Sequence, residues 1–514
     1  MRALFAVVVA FPAWAEVPKF VDETVSSGLV SVYAGDWQYM VGGGVSAFDC
    51  NADLLPDLVL AGGEGAASVW VNRSTAALRF EQAQSGVEMT GVTGAYPMDI
   101  DSDGIADLIV LRVGENVVMR GLGDCRFERA NEAWGFDGGD AWSTALAATF
   151  EPGAVWPTIA VGNYIDRREE AFPWGSCTPN WLHRPGTGGF APPLELTPSF
   201  CALSMVFTDW NNSGIASLRV SNDREYYKGG QEQLWHMEGE PRLYTEAEGW
   251  ARLRIWGMGI ATDDLDGDGM PEYYLTSMAD NKLQKVVAQE PLVPKFADVA
   301  LKRGVTAHRP FMGDDLNPST GWHAQFGDVN NDGLADLFVA KGNVDRMPDF
   351  ALHDPNNLLM QAPDGTFVEA AETAGMASMR SSRGGQLVDL NRDGLLDLVV
   401  VNRREGAQVW RNTGPDSGQA AGHWVGVRLH QDGVNPDAIG ARIELRAGDR
   451  RWLRETTVGG GHMSGSLGVQ HFGLGAADAA EVRVVWPDGS VLDWAPLAAD
   501  GVWRVTKGAA PVAE

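Results

Sequence analysis

One short pattern constrains this chain more than any other. "DVNNDGLADL", beginning at Asp328, places acids or amides at its first, third and fifth positions, Gly at the sixth and an acid at the ninth. The same frame recurs as "DCNADLLPDL" at Asp49, "DIDSDGIADL" at Asp99, "DWNNSGIASL" at Asp209, "DLDGDGMPEY" at Asp264 and "DLNRDGLLDL" at Asp389. The gap between Asp99 and Asp209 is twice the usual one, and "TFEPGAVWPTIAV" from Thr149 keeps the apolar frame there without the acids. Self-similarity at a fixed spacing is the signature of a repeat architecture.

A second marker keeps step with the first. "FVDETVSSGL" at Phe20 returns as "FEQAQSGV" at Phe80, "FERANEAWGF" at Phe127, "YTEAEGWA" at Tyr244, "FADVALKRGV" at Phe296 and "FVEAAETAGM" at Phe367, with a weaker copy at Phe190. Between the markers lie short β-like runs such as "DLVLAGG" and "DLVVVNR", and another apolar run precedes each loop. The unit therefore reads as strand, acidic loop and three further strands, the content of one four-stranded propeller blade. Seven units predict an all-β, seven-bladed β-propeller. The first marker precedes the first loop, so the N-terminal strand is expected to complete the last blade and hide an edge.

The units resemble FG-GAP or VCBS repeats, the calcium-loop propeller blades also found in integrin α-subunit heads. The resemblance implies that each loop wraps a Ca²⁺ with oxygen ligands and a Gly at the sharp turn. An EF-hand would need a Glu at position twelve, where Val339 stands; here the ninth residue closes the shell instead. The expected ligands are Asp49, Asn51, Asp53 and Asp57; Asp99, Asp101, Asp103 and Asp107; Asp264, Asp266, Asp268 and Glu272; Asp328, Asn330, Asp332 and Asp336; and Asp389, Asn391, Asp393 and Asp397. That gives about five structural Ca²⁺ sites. Leu54 replaces Gly in the first loop and puts its turn in question, while the fourth loop (Asp209, Asn211, Ser213, Ser217) keeps one acid and should bind weakly or not at all.

Net charge is −28, with 19 Trp and 19 Phe among 514 residues. Such an acidic chain is a poor partner for nucleic acid or anionic lipid, and its aromatic content argues against disorder. "MRALFAVVVAFPAWA", residues 1–15, has the grammar of a signal peptide cut after Ala15, and its apolar run is too short to span a bilayer. Export to the periplasm, cell surface or medium is expected, with no membrane span. Four cysteines suggest two disulfides; Cys177 with Cys201, leaving Cys50 with Cys125, is the preferred of three pairings.

The repeats are expected to fill residues 16–411 and a Gly-containing linker residues 412–423. Residues 424–510 alternate like the strands of a small β-sandwich. "NPDAIGARIEL", "GGGHMSGSLGVQHFGLG" and "VRVVWPDGS" in that order resemble the ASPIC/UnbV domain of cartilage-acidic-protein-like proteins. His462 and His471 within it are read as turn and strand residues, because no carboxylate spacing accompanies them.

Residues entering the first strand of each blade should gather at the central channel. They bring Tyr39, Tyr96, Trp142, Trp256, Met258, Trp322, His323 and Arg383 toward one mouth, where they either bind a ligand or plug the channel. The excursion over residues 163–190 is expected to form a lid or partner surface. The leading reading is a recognition or adhesion scaffold for a protein or glycan. A polysaccharide lyase or hydrolase using Tyr39, Tyr96, His323 and Arg383 is the alternative, without a nucleophile or H-E-x-x-H motif to support it, and a purely structural assembly component is the third.

Overall fold

The computed structural model describes residues 16–169, 175–224, 229–287, 289, 291–416 and 421–514. The signal-peptide stretch lies outside the described residues. Among them the regular structure is mostly short β-strands in mainly antiparallel sheets.

Seven four-stranded groups follow one another along residues 16–416. Their first strands are Val45–Phe48, Val92–Met98, Ala141–Thr149, Ala202–Thr208, Gly257–Asp263, Gly321–Gly327 and Ser382–Val388. Nearly every residue in them is buried, and each lies against the first strand of the next group, while Ser382–Val388 also lies against Val45–Phe48. Strands buried on both faces read as continuous apolar runs rather than alternating ones. Pairing of Ala141 with Gly114 and Trp142 with Val113 fuses the second and third groups.

The acidic loop is the hairpin between first and second strands. Phe48 pairs with Asp57, Met98 with Asp107, Asp263 with Glu272, Gly327 with Asp336 and Val388 with Asp397. Thr149 with Thr158 and Thr208 with Ser217 keep this register where the acids are lost. The second marker is an outer strand, such as Phe127–Arg129 or Phe367–Glu369, followed by one helical turn. Left-handed glycines end these turns, among them Gly135 at φ 64° and Gly375 at φ 86°, where a Cβ would be strained. Four-residue turns are too short to give a helical period, so the sequence showed only the Phe and the Gly.

The N-terminal strand Pro18–Asp22 pairs antiparallel with Gln408–Pro415, Phe20 opposite Asn412 and Asp22 opposite Trp410. The expected completion of the last group from the N-terminus is therefore present. The same pairing carries the last strand to Pro415, past residue 411. Disulfides join Cys50 to Cys125 and Cys177 to Cys201, the preferred pairing. The excursion over residues 163–190 is largely not a free lid, because Asn180–His183 is the third strand of its group and Ile165 bridges Cys177; residues 170–174 lie outside the described set.

Residues 423–513 form two further four-stranded sheets, one containing His423–His430 and Gln470–Gly475, the other Arg442–Ala447 and Ala479–Val485. Val425, Val427, Phe472 and Val505 of one share a core with Ile443, Leu445, Val482 and Val484 of the other, as in a sandwich.

From this module one segment, Val458–Ser466, runs into the middle of the repeat array and meets all seven first strands. Val458 and Gly459 pair with Ala148 and Ala147 of the third group, and Gly465 and Ser466 run parallel to Ser46 and Ala47 of the first. Gly460 donates its N–H to Met205 O (2.6 Å) of the fourth and Gly461 to Ile260 O (2.6 Å) of the fifth. His462 donates its backbone N–H to His323 Nδ1 (3.1 Å) of the sixth. Met463 packs beside Gly94 of the second, and Ser464 faces Gly384 of the seventh. Glycine is required on both sides: a Cβ on Gly44 would lie 1.6 Å from Met463 O, and one on Gly461 would lie 2.4 Å from the His323 ring.

His462 is fully buried and holds one tautomer. Its Nε2 accepts the Gly42 N–H (3.1 Å), so Nδ1 carries the proton toward Leu203 O (3.2 Å) and Met258 O (3.3 Å). Burial, then the nearby Arg383 guanidinium, push it down to about 3, and burial pushes His323 down to about 4.

Two outcomes are expected. Deleting residues 16–22 strips the Gln408–Pro415 edge and should lower the melting temperature and cause concentration-dependent aggregation; an unchanged, monomeric melt would refute the closure. Both histidines are depressed in the folded state, so their contribution is complete above about pH 6.5 and is lost as pH falls toward 3–4. The melting temperature should therefore drop over that window more steeply for the wild type than for His462→Gln.

Candidate functional site

The acidic hairpins share one geometry, built by their own backbone. The carboxylate at position one accepts two N–H groups inside the loop. Asp99 takes those of Asp103 (3.1 Å) and Gly104 (2.8 Å), Asp264 those of Asp268 (3.1 Å) and Gly269 (2.9 Å), and Asp389 those of Asp393 (3.2 Å) and Gly394 (2.9 Å). Asp49, Asp209 and Asp328 do the same. Positions four and six are left-handed in each loop, as at Ser102 (φ 59°) with Gly104 (φ 87°) and Asn331 (φ 59°) with Gly333 (φ 87°). Leu54 makes the same turn at φ 72°, so the first loop closes despite the missing glycine, at a cost of about 1–2 kcal/mol for the left-handed side chain.

The ninth residue does a second job that its position in the sequence did not reveal. Asp57, Asp107, Asp336 and Asp397 are fully buried. One oxygen of each accepts the N–H of loop position two, and the other accepts an N–H from the third strand. For Asp107 these are Ile100 (2.7 Å) and Gly121 (2.7 Å); for Asp397 they are Leu390 (3.0 Å) and Asn412 (2.8 Å). Burial pushes Asp57 up to about 7 and Asp107 up to about 8, and raises Asp336 and Asp397 well above the carboxylate range. Burial thus makes the charged form of these carboxyls costly.

Oxygens of Asp99, Asp101 and Asp107 lie within 4.8 Å of one another, as do those of Asp264, Asp266 and Glu272. Asp101 Oδ1 is buried without a hydrogen-bond donor, and Glu272 Oε1 has only the Lys285 ammonium at 3.3 Å. This all-oxygen donor set fits a hard divalent cation. Cationic side chains already reach these acids: Arg120 at 3.3 Å from Asp101 and 2.9 Å from Asp103, and Lys285, which pairs with Asp266 and lies 2.7 Å from Asp268 and 3.3 Å from Glu272. A third group, Cys50, Asp57 and Cys125, contains a disulfide rather than free thiolates. In the third loop, Glu151 instead takes Thr158 (2.8 Å) and the Arg184 guanidinium (2.8 Å), so a protein cation faces its only acid.

The residues expected at the channel mouth meet a different fate. Tyr39, Tyr96, Trp142, Met258, Trp322, His323 and Arg383 are all buried, whereas Trp256 is 46% exposed. Tyr96, Met258, Trp322 and His323 surround the Val458–Ser466 segment, with the Trp322 and His462 rings 5.0 Å apart. Arg383 lies 4.1 Å over the Trp322 ring, and its donors go to Met40 O (2.7 Å), Ser382 O (2.9 Å) and Asn343 O (3.1 Å). Trp142 packs on Tyr164 (4.8 Å) and Tyr39 on Tyr33 (6.2 Å). Of the two alternatives, an open mouth and a filled one, the chain's own segment stands among these residues. "GGGHMSGS" carried the signal for it, since three glycines before a His mark a backbone that must approach others closely.

The C-terminal module rests on the acidic loops as well. Arg450 and Trp452 bond the carbonyls of Asp332 and Gly333, and His471 Nε2 bonds Gly394 O (3.1 Å). Asp437 accepts the Asp99 N–H (3.3 Å), Glu455 that of Asp209 (3.2 Å), and Arg454 pairs with Asp263 (2.8 Å).

Residues 49–110 and 328–400 match the model of the FG-GAP-like repeat, and residues 431–512 match that of ASPIC and UnbV. Cartilage acidic protein 1 of Homo sapiens is 30% identical over 149 residues, 28% of this chain and 21% of that protein. The protein of the same name from Xenopus tropicalis is 28% identical over 153 residues, 29% of this chain and 22% of its own. The matched part thus spans about a fifth of the length of these relatives. Among solved structures, BBS1N in complex with ARL6DN aligns with 78% of this chain and 98% of its own at a TM-score of 0.43 and 11% identity. An Agrocybe aegerita lectin specific for non-reducing terminal N-acetylglucosamine aligns with 73% and 94% at a TM-score of 0.38 and 15% identity. The chain is a protein of FG-GAP-like repeats followed by an ASPIC and UnbV domain, weakly related to cartilage acidic protein 1.

Proposed function

We propose that this protein is an exported, calcium-stabilised seven-bladed β-propeller that serves as a recognition scaffold for a protein or glycan. The observation that carries the reading is the ring of contacts among seven first strands, each ending in the same hairpin. Four-stranded groups so arranged are the blades of a propeller. Two disulfides suit an oxidising compartment, and no helix among the described residues is long and apolar enough to cross a membrane.

Calcium would be held by the position-one, -three, -five and -nine residues of the first, second, fifth, sixth and seventh loops, and would offset the cost of their buried charge. Its role is structural, because every such loop is also the seam between two strands. An enzyme at the channel mouth would need that mouth open, and Val458–Ser466 stands in it. Recognition is left to the rims, to the outer blade edges and to the space beside the C-terminal module.

Chelation with excess EGTA should lower the melting temperature; an unchanged melt would sink the metal reading. Asp101→Ala removes an orphaned ligand oxygen without touching the hairpin clamp, so calorimetry should count one ion fewer while the metal-free melt stays put. Leu54→Gly should stabilise the protein by about 1 kcal/mol by relieving a left-handed side chain, read as a raised melting temperature. A calcium-loaded pull-down and glycan array test recognition directly; no retained protein or glycan leaves an assembly component as the reading.

A further inference from the structure

The two loops that carry four acids each hold a protein cation among their expected ligands. In the fifth loop the Lys285 ammonium pairs with Asp266 at position three and lies 2.7 Å from Asp268 at position five and 3.3 Å from Glu272 at position nine. In the second loop the Arg120 guanidinium lies 3.3 Å from Asp101 at position three and 2.9 Å from Asp103 at position five. Carboxylate oxygens paired with a cation are not free to ligate a metal. A divalent ion that takes the same oxygens has to displace the side chain.

Both cations come from one step of the fold. Leu108, at loop position ten, pairs with Met119 on the third strand, and Arg120 is the next residue. Tyr273 pairs in the same way with Gln284, and Lys285 follows. In the third group Ile159 pairs with His183, and Arg184 follows and reaches Glu151 at 2.8 Å. That loop has lost its ligand set and kept the cation.

Elsewhere the step is filled differently. It is apolar in the first and sixth groups, as Val71 and Met360, whose loops carry three acids and an Asn. Arg73, two residues beyond Val71, meets Asp53 with an exposed side chain at 3.5 Å. In the fourth and seventh groups His236 and Arg411 bond outside their loops, to Glu248 (3.0 Å) and Glu23 (2.9 Å). The fourth acid and the inserted cation therefore occur together. Four acids less one cation leave a net charge of −3, the charge that three acids give the sixth and seventh loops. Lys285 and Arg120 side chains are 28% and 44% exposed, so each head has a way out into water along its flexible stem.

We infer that Lys285 and Arg120 are displaceable counter-cations, which hold their loops' carboxylates together until a metal ion pushes them aside. They lower the calcium affinity of the fifth and second loops below what four acids alone would give. This rests on the calcium reading above and adds the residues that tune two of its sites.

The test uses the full chain and the variants Lys285→Met and Arg120→Met. Calcium is titrated by calorimetry in competition with a chelator, and melts are run in calcium and in excess EGTA. Each variant should bind one calcium about tenfold more tightly than the wild type. Its melting temperature should fall in EGTA, where the acids have lost their counter-charge, and hold or rise in calcium. In the wild type, an amine-reactive acetylating ester should modify Lys285 faster in calcium than in EGTA, because the ammonium is then released into water. Equal modification in both conditions overturns the inference without recourse to a variant. So does an unchanged calcium affinity with the same loss of melting temperature in both conditions, which marks ordinary surface ion pairs and leaves the metal reading standing. If neither the wild type nor the variants bind calcium, the metal reading falls and the displacement falls with it.

Discussion

The buried carboxylate at loop position nine is the constraint on which the rest of the repeat depends. Its two oxygens take N–H groups from the loop and from the third strand, so one side chain fixes the hairpin, its register and the neighbouring strand together. Removing water from a carboxylate is costly unless hydrogen bonds or a cation replace it. The repeat supplies the first at position nine and, in the second loop, leaves Asp101 Oδ1 without a donor. This explains why the pattern keeps an acid at position nine even in the first loop, where the turn itself is strained by Leu54.

The C-terminal module is bound to this same arrangement rather than tethered beside it. It bonds the backbone carbonyls of the sixth and seventh loops and the first N–H of the second and fourth. One of its segments also meets the first strands of all seven groups. Anything that reshapes the acidic hairpins therefore reshapes the seat of the module, and the two parts of the chain share one structural state.

Much of this was legible in the residues. Positions one to nine of each loop, the β-rich runs and the step of the Phe marker gave the repeated unit. The offset of the two markers gave the completion of the last group by the N-terminal strand, and the even cysteine count gave two disulfides. What was not legible depends on contacts between residues hundreds of positions apart. His462 meets Gly42, Leu203, Met258 and His323, and no local period announces such partners. Trp322 and His323 lie beside Val458–Ser466 and Arg383 lies over Trp322, but composition alone cannot say whether such aromatic and cationic side chains await a ligand or enclose a piece of their own chain. Trp256 differs from the others in being exposed, since alternation along a short strand entry does not fix which way one side chain turns.

The strand Pro18–Asp22 completes a group whose other strands end at Pro415, and Val458–Ser466 arrives later still. A chain emerging from its N-terminus must hold its first strand unpaired until some four hundred residues (the interval from Pro18 to Pro415) have followed it. Closure is thus a late event with a high loop-closure cost, and such long-range pairing makes folding slow and exposes intermediates to aggregation. Once the seven groups stand around Val458–Ser466, however, that segment cannot leave without breaking contacts with all of their first strands, so the same topology that delays assembly opposes its reversal.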